Sequence, residues 1–293
     1  MKHLERVNTL IEALPYMEKF KGSTVVIKYG GHAMVNKELK EKVLQDIILL
    51  KLAGIKPVVV HGGGPEITTM LKQIGKQSDF VNGLRVTDAE TMEIAEMVLI
   101  GKINSELVSM LSIQGAKAIG LSGKDACLIT AKKHLADIYD NGEIKSVDIG
   151  FVGEVEKVNT TLLTNLLDND CIPIIAPIGM GSGGESYNIN ADSVAGEIAS
   201  ALHAEKLLLL TDTKGIYRDF GDEESFISTL TFEEAQELMN NGKIEGGMIP
   251  KVKACVTALD GGAKKTHIID GRQAHAILLE IFTDAGVGTE VVR

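Results

Sequence analysis

The chain has 293 residues, 44% hydrophobic and 24% charged, ordinary proportions for one large or two medium globular domains around a real core. Thirty Lys and Arg against 40 Asp and Glu leave a net charge of −10, and no basic block interrupts that balance, which excludes a nucleic-acid groove built on clustered cations. No apolar run approaches the ~18 residues of a membrane span, no signal-peptide core precedes the first strand, and Cys127, Cys171 and Cys255 are too few and too scattered for a disulfide framework. The expectation is a cytoplasmic protein with reduced thiols and no membrane or nucleic-acid partner.

Leu4, Val7, Leu10, Ile11 and Leu14 recur at helical spacing and predict an N-terminal helix over 1–20. Its apolar stripe packs either on its own domain or on the same helix of another subunit. Apolar, β-branched runs follow at STVVIKYGG (23–31), IKPVVVHGGG (55–64), KAIGLSG (117–123), CIPIIAPIG (171–179), KLLLLTD (206–212) and KTHIID (265–270). Several are apolar on consecutive residues, the pattern of parallel strands buried on both faces. Helical patterns lie between them at 34–53, at 65–75 and from 87 to about 111, the last opened by Thr87-Asp88-Ala89-Glu90 as a capping box. Thr231-Phe232-Glu233-Glu234 is a second capping box, and GFVGEVEKV (150–158) alternates as part of an antiparallel hairpin. The β-α-β-α order predicts an α/β fold with a mostly parallel sheet and right-handed crossovers.

Ligands of such sheets sit beyond the carboxyl ends of the strands. Four runs end there in Lys28-Tyr29-Gly30-Gly31, His61-Gly62-Gly63-Gly64, Gly120-Leu121-Ser122-Gly123 and Thr211-Asp212. Backbone N–H groups at a glycine-rich strand–helix turn, backed by the positive end of a helix, make a site for anions. The P-loop pattern is absent. Gly179, Gly181 and Gly184 match GxGxxG, but ESYNIN separates them from the next helix and weakens a dinucleotide reading.

Individual side chains also stand out. Lys28 ends a buried strand, where a charge is costly unless something uses it. Arg85 follows Asn82-Gly83-Leu84; Asn188, Asn190 and Asp192 crowd one turn before a helix; Lys251 follows Gly246-Gly247-Met248. Taken singly each has an ordinary reading: surface lysines, a salt-bridged arginine, turn-forming asparagines, Asp192 as an N-cap. His61 reads as a structural, hydrogen-bonded histidine, and the seven histidines show no metal-ligand spacing.

Taken together, VVIKYGG, VVVHGGG, NGLRVT, YNINAD, LLTDTKGIY and GGMIPKV, in this order over nearly the whole chain, resemble the amino acid kinase family. NGLRVT and NINAD resemble its members that act on N-acetyl-L-glutamate. The resemblance implies a three-layer α/β/α sandwich, with an acetylglutamate-binding domain at 21–198 and a nucleotide-binding domain at 199–293. It implies ATP-dependent phosphorylation of the γ-carboxylate to an acyl phosphate, the second step of arginine synthesis by the acetylated route. A carboxylate is already an ionised nucleophile, so the lack of a candidate general base is no objection. What the reaction needs is positioning and positive charge around the transferring group.

By the same resemblance, Lys28 and Lys251 clamp the transition state, Asp192 holds both ammonium groups, and amides around Gly30, Gly31 and Gly62 receive the phosphoryl oxygens. Gly63, Gly64, Arg85, Asn188 and Asn190 bind acetylglutamate, with Arg85 on the α-carboxylate. Thr211, Asp212, Gly215, Tyr217, Gly247 and Met248 border ATP, with Gly30, and Mg²⁺ arrives on the nucleotide phosphates rather than in a protein-built cage. The C-terminal stretch HIIDGRQAHAILLEIFTDAGVGTEV resembles the arginine-inhibited form, a hexamer (trimer of dimers) with an extra N-terminal helix. There Tyr16, Lys206, His267, Glu280 and Gly286 line a site for L-arginine. In some members a nitrogen-signalling protein docks on the hexamer; the sequence leaves that partner open. It also leaves open a kinase for an aminoadipate-type substrate and an inactive arginine or nucleotide sensor.

Overall fold

The computed structural model describes residues 2–31, 34, 36–140, 143–219, 221–284 and 286–293. Helix α1 (Lys2–Phe20) precedes strand β1 (Thr24–Tyr29); α2 (Lys37–Leu52) then leads to β2 (Lys56–His61), and α3 (Gly64–Gln73) follows the three glycines. A helical stretch comprises α4 (Ala89–Glu96), a π-helical segment (Met97–Asn104) and α5 (Ser105–Ile113). Next come β3 (Ala118–Ser122), the long hairpin β4 (Ile129–Asp140) and β5 (Glu143–Val158), α6 (Thr161–Asp168), β6 (Ile172–Ala176), β7 (Ile178–Met180) and β8 (Ser186–Ile189). The remainder is α7 (Ala191–Ala201), β9 (Lys206–Thr211), β10 (Thr229–Thr231), α8 (Phe232–Asn240), α9 (Met248–Asp260), β11 (Lys265–Asp270), α10 (Ala276–Phe282) and β12 (Thr289–Val292).

All six apolar runs become neighbouring parallel strands of one eight-stranded sheet, ordered β10-β12-β11-β9-β1-β2-β6-β3; β12 pairs antiparallel with β11 and parallel with β10, so β10 and β12 run against the other six. β4, β5, β7 and β8 close a small barrel beside it. Burial on both faces explains the unbroken hydrophobicity: Val26, Val58, Val60, Leu207 and Leu209 pack under α7 and α9, while Ile27, Tyr29, Val59, Leu208 and Leu210 pack under α2, the π segment and α10. The result is a three-layer α/β/α sandwich. The expected division at 198/199 falls inside α7.

Several local expectations change. The helix expected from 34 begins at Lys37, capped by the Asn36 side chain. The Thr87 capping box is not formed: Asp88 is the N-cap, accepting from the Thr91 amide at 2.8 Å, while the Thr87 hydroxyl donates to the Arg85 carbonyl. A buried Thr87 follows its nearest carbonyl, and the exposed Asp88 is left to cap. The Thr231–Glu234 box forms on both sides. The GxGxxG stretch is a tight turn between β7 and β8, with Gly184 N donating to Gly181 O at 3.0 Å.

Candidate active site

Strand periodicity aims Lys28 toward the α7/α9 layer. α7 and α9 approach closely because Gly196 carries no side chain: a Cβ there would lie 2.7 Å from the Ala254 carbonyl oxygen. That contact brings Lys251, in the first turn of α9, opposite the start of α7. Asp192 stands between the two lysines, 3.0 Å from Lys28 Nζ through Oδ1 and 2.8 Å from Lys251 Nζ through Oδ2. Burial by itself pushes the Asp192 carboxyl up, but the two ammonium groups outweigh it and hold the group below the usual carboxylate range. Asp192 is therefore an anion with a lysine on each oxygen. It is not the N-cap of α7; Asn190 is, accepting from the Asp192 and Ser193 amides at 2.8 and 3.3 Å. Asn190 lines the cleft but has its side-chain oxygen engaged in the cap.

Beside Lys28 opens a cavity of about 200 Å³ lined by Gly62, Gly63, Gly64, Arg85, Asn188, Asn190 and Asp192. The Gly62 N–H already donates to the Tyr29 carbonyl at 2.8 Å. The Gly63 and Gly64 N–H groups have no acceptor among the described residues, and α3 begins there with no side-chain cap. The positive end of that helix thus faces the cavity. Of the three glycines, Gly63 is demanded by packing: a Cβ would lie 2.5 Å from Ile103 and 2.6 Å from Leu99 of the π segment.

Arg85 is 7% exposed. Its guanidinium donates to the Gly64 carbonyl at 2.9 Å, to Thr68 Oγ1 at 2.8 Å and to Ser78 Oγ, and lies over the Phe80 ring at 4.7 Å. No carboxylate pairs with it among the described residues. Asn188 sits on β8, paired with Val152 of β5 and Ile178 of β7. His61 is buried and pushed down to about 4 by desolvation, a neutral structural histidine.

The residues expected around a nucleotide are brought together in part. Gly31 abuts Asp212, whose Oδ1 would lie 2.6 Å from an added Cβ, and Gly30 abuts Lys28. Thr211 closes β9 and accepts from the Gly271 amide at 2.8 Å. Gly247 and Met248 open α9 one turn before Lys251. Gly215 precedes, and Tyr217 lies on, a short ribbon, Ile216–Tyr217 against Phe226–Ile227, and none of these expected nucleotide residues lines the cavity of about 200 Å³.

Tyr16, Lys206, His267, Glu280 and Gly286 all line a second cavity of about 480 Å³ between α1, α10 and the β9/β11/β12 edge. Glu280 Oε1 is 2.7 Å from both Lys206 Nζ and His267 Nε2, and Oε2 accepts from the Val287 amide at 3.0 Å. Desolvation, reinforced by Lys206 and Lys265, holds His267 well below the usual histidine range, so a neutral imidazole sits beside Glu280.

Sequence reasoning missed Thr68, Ser78 and Phe80 around Arg85, Phe20 in the second cavity, and Asn104 behind His61. Common residue types without a motif carried no signal for them; the one glycine of the 87–111 pattern, Gly101, falls inside the π segment Met97–Asn104.

These features define a kinase-type anion site on a parallel sheet, and the chain belongs to the amino acid kinase family, which matches residues 23–270. It is 60% identical over 289 residues to an acetylglutamate kinase of Moorella thermoacetica, covering 99% of this chain and 98% of that one. Among solved structures it resembles N-acetylglutamate synthase from Neisseria gonorrhoeae in complex with coenzyme A and N-acetyl-glutamate (TM-score 0.83, 28% identity), over 98% of this chain and 63% of that one. Carbamate kinase from Giardia lamblia bound to AMP-PNP shares the fold at TM-score 0.66 and 18% identity, over 92% and 98% of the two chains.

Proposed function

We infer that the chain carries acetylglutamate kinase activity, transferring the γ-phosphoryl group of ATP to the γ-carboxylate of N-acetyl-L-glutamate in arginine biosynthesis. The observation that carries this reading is the Lys28–Asp192–Lys251 bridge beside a cleft with amides and a guanidinium, Arg85, that meet no carboxylate among the described residues. Two anions must meet, and the two lysines supply charge on either side of the transferring group while Asp192 fixes their positions. Gly63 and Gly64 amides, with those around Gly30 and Gly31, receive the phosphoryl oxygens. Arg85 takes the α-carboxylate of the substrate, for which its remaining N–H donors are free, and Asn188 borders the same molecule.

Thr211, Asp212, Gly215, Tyr217, Gly247 and Met248 border ATP. Asp192 is engaged by both lysines, and Mg²⁺ is held by phosphates and water and offsets their charge when bound. Residues 21–198 bind acetylglutamate and 199–293 bind the nucleotide, with α7 shared between them. A cytoplasmic location follows from the use of ATP in biosynthesis.

The second cavity fits L-arginine as an inhibitor, with Glu280 meeting its guanidinium once Lys206 and His267 give way. The α1 stripe is exposed, Leu4 and Leu10 at 67% each, and such a face suits pairing with the same helix of another subunit in a hexamer. Sedimentation of Leu10→Glu as the same hexamer as wild type would sink that pairing, and a monomeric wild type would sink the hexamer. The activity is tested by trapping acyl phosphate with hydroxylamine in the presence of MgATP. Product with N-acetylglutamate and none with glutamate, aspartate or acetylaminoadipate is expected; folded protein yielding no product overturns the reading.

A further inference from the structure

His61 and Lys28 leave the sheet on opposite faces, and the proposed chemistry uses only the Lys28 face. On the other face His61, 0% exposed, places Nδ1 2.8 Å from the Gly62 carbonyl oxygen and Nε2 3.1 Å from Asn104 Nδ2. Asn104, 3% exposed, also donates through Nδ2 to the Ile174 carbonyl of β6 at 2.8 Å. Ile174 O accepts only, so the Asn104 nitrogen is on that side and His61 Nε2 must accept from it. Gly62 O accepts only, so His61 Nδ1 must carry the proton. Both ends of the chain of hydrogen bonds select one tautomer, with its single N–H aimed at one peptide carbonyl.

Asn104 closes the π segment, and such segments are frequent at functional sites. The same segment packs Leu99 and Ile103 against Gly63. A peptide unit is planar and trans, so its N–H points opposite to its C=O. Holding the Gly62 carbonyl on the buried side therefore directs the Gly63 N–H, which has no acceptor among the described residues, away from His61 and toward the cleft that Gly63 lines.

We propose that His61 and Asn104 are positioning residues: a relay from the π segment that fixes the Gly62–Gly63 peptide so that the Gly63 amide is pre-aimed at the transferring phosphoryl oxygen. This rests on the phosphoryl-transfer reading of the cleft. Purely structural burial would be served as well by an apolar residue, since two buried polar side chains here gain only bonds to each other and to carbonyls.

The test compares His61→Leu, His61→Asn and Asn104→Leu with wild type and Lys28→Ala in full-length protein. Asn at 61 keeps a donor at the Nδ1 position; Leu does not. His61→Leu should lower kcat about 10- to 100-fold, less than the outright loss of an oxyanion donor, with KM for acetylglutamate and ATP within about threefold. His61→Asn should recover most of that loss, and Asn104→Leu should fall between the two. A kcat of His61→Leu within twofold of wild type, a loss confined to KM, or no recovery in His61→Asn would overturn the relay. Crystal structures of the two position-61 variants read the peptide without reference to turnover. A Gly62–Gly63 peptide that rotates in His61→Leu and not in His61→Asn supports the relay, and one unmoved in both overturns it. Wild type that makes no acyl phosphate while the peptide behaves as expected would instead fault the functional reading.

Discussion

The two charged cavities differ in how their charges are balanced. Among the described residues, Lys28, Lys251 and Arg85 at the cleft meet a single carboxylate, Asp192, so positive charge is left over. In the second cavity Lys19, Lys206 and Lys265 face Glu280, Asp284 and Glu290, and the buried pair is closed on itself, Lys206 and His267 on one Glu280 oxygen. A surplus of fixed cations suits a site where two anions must meet, because the protein does not reorganise when the charge arrives. A balanced cavity suits a zwitterion carrying its own cation, and binding there must exchange one ion pair for another. The lesson is that identical residue types suit different ligands through what remains unpaired.

The strongest way to break this contrast is Lys251→Ala. Removing one of the two ammonium groups on Asp192 should cut kcat by about 10²- to 10³-fold, with unchanged far-UV circular dichroism; turnover near wild type would mean the surplus charge is idle. Arg85→Lys keeps the charge but loses the planar fork held by Thr68, Ser78 and Gly64. The KM for acetylglutamate should rise about 10- to 100-fold with kcat changed far less, and steady-state kinetics separates the two. On the other side, Glu280→Gln uncouples the closed pair and should raise the arginine concentration for half inhibition about tenfold; an unchanged inhibition curve would remove arginine from this cavity.

The smallest expected effect concerns His61. Burial lowers its pKa to about 4, so between that value and the ~6.5 of an unfolded chain the unfolded state binds the extra proton. Stability contributed by neutral His61 is fully present above ~6.5 and is lost as the pH falls toward about 4. Asp46, pushed up to about 6 by its own burial, acts in the opposite direction, so wild type alone does not isolate the effect. The comparison is with His61→Asn: urea unfolding at about pH 7 and about pH 5.5 should show wild type losing about 1 kcal/mol more than the variant. Equal losses would show that His61 binds its proton in the folded protein as readily as in the unfolded chain.

Much of the architecture was legible because it is local. Runs such as VVVHGGG and KLLLLTD announce buried parallel strands and their glycine turns from residue type and spacing alone. The 87–111 stretch was legible as helix but not as α, π, α, and the partners of the π segment, Gly63 for Leu99 and Ile103 and His61 for Asn104, lie far from it in sequence. Asp192 was visible as an acidic residue beside a helix start, yet its role as N-cap passed to Asn190, because only the folded chain shows both Asp192 oxygens committed to lysines.

By itself, then, the sequence determined the strand set, the turns of glycine beyond their carboxyl ends, and a lysine too costly to bury without a use. Each of these follows from the chemistry of residues adjacent in the chain. Tertiary structure alone decided that Lys28 and Lys251, 223 residues apart, share one carboxylate, that Arg85 stands without an acidic partner among the described residues, and that Tyr16 faces Glu280 across a cavity. Such pairings depend on which faces of which helices the close approach of α7 to α9, and of α1 to α10, brings together, and no local pattern encodes a distance between two helices.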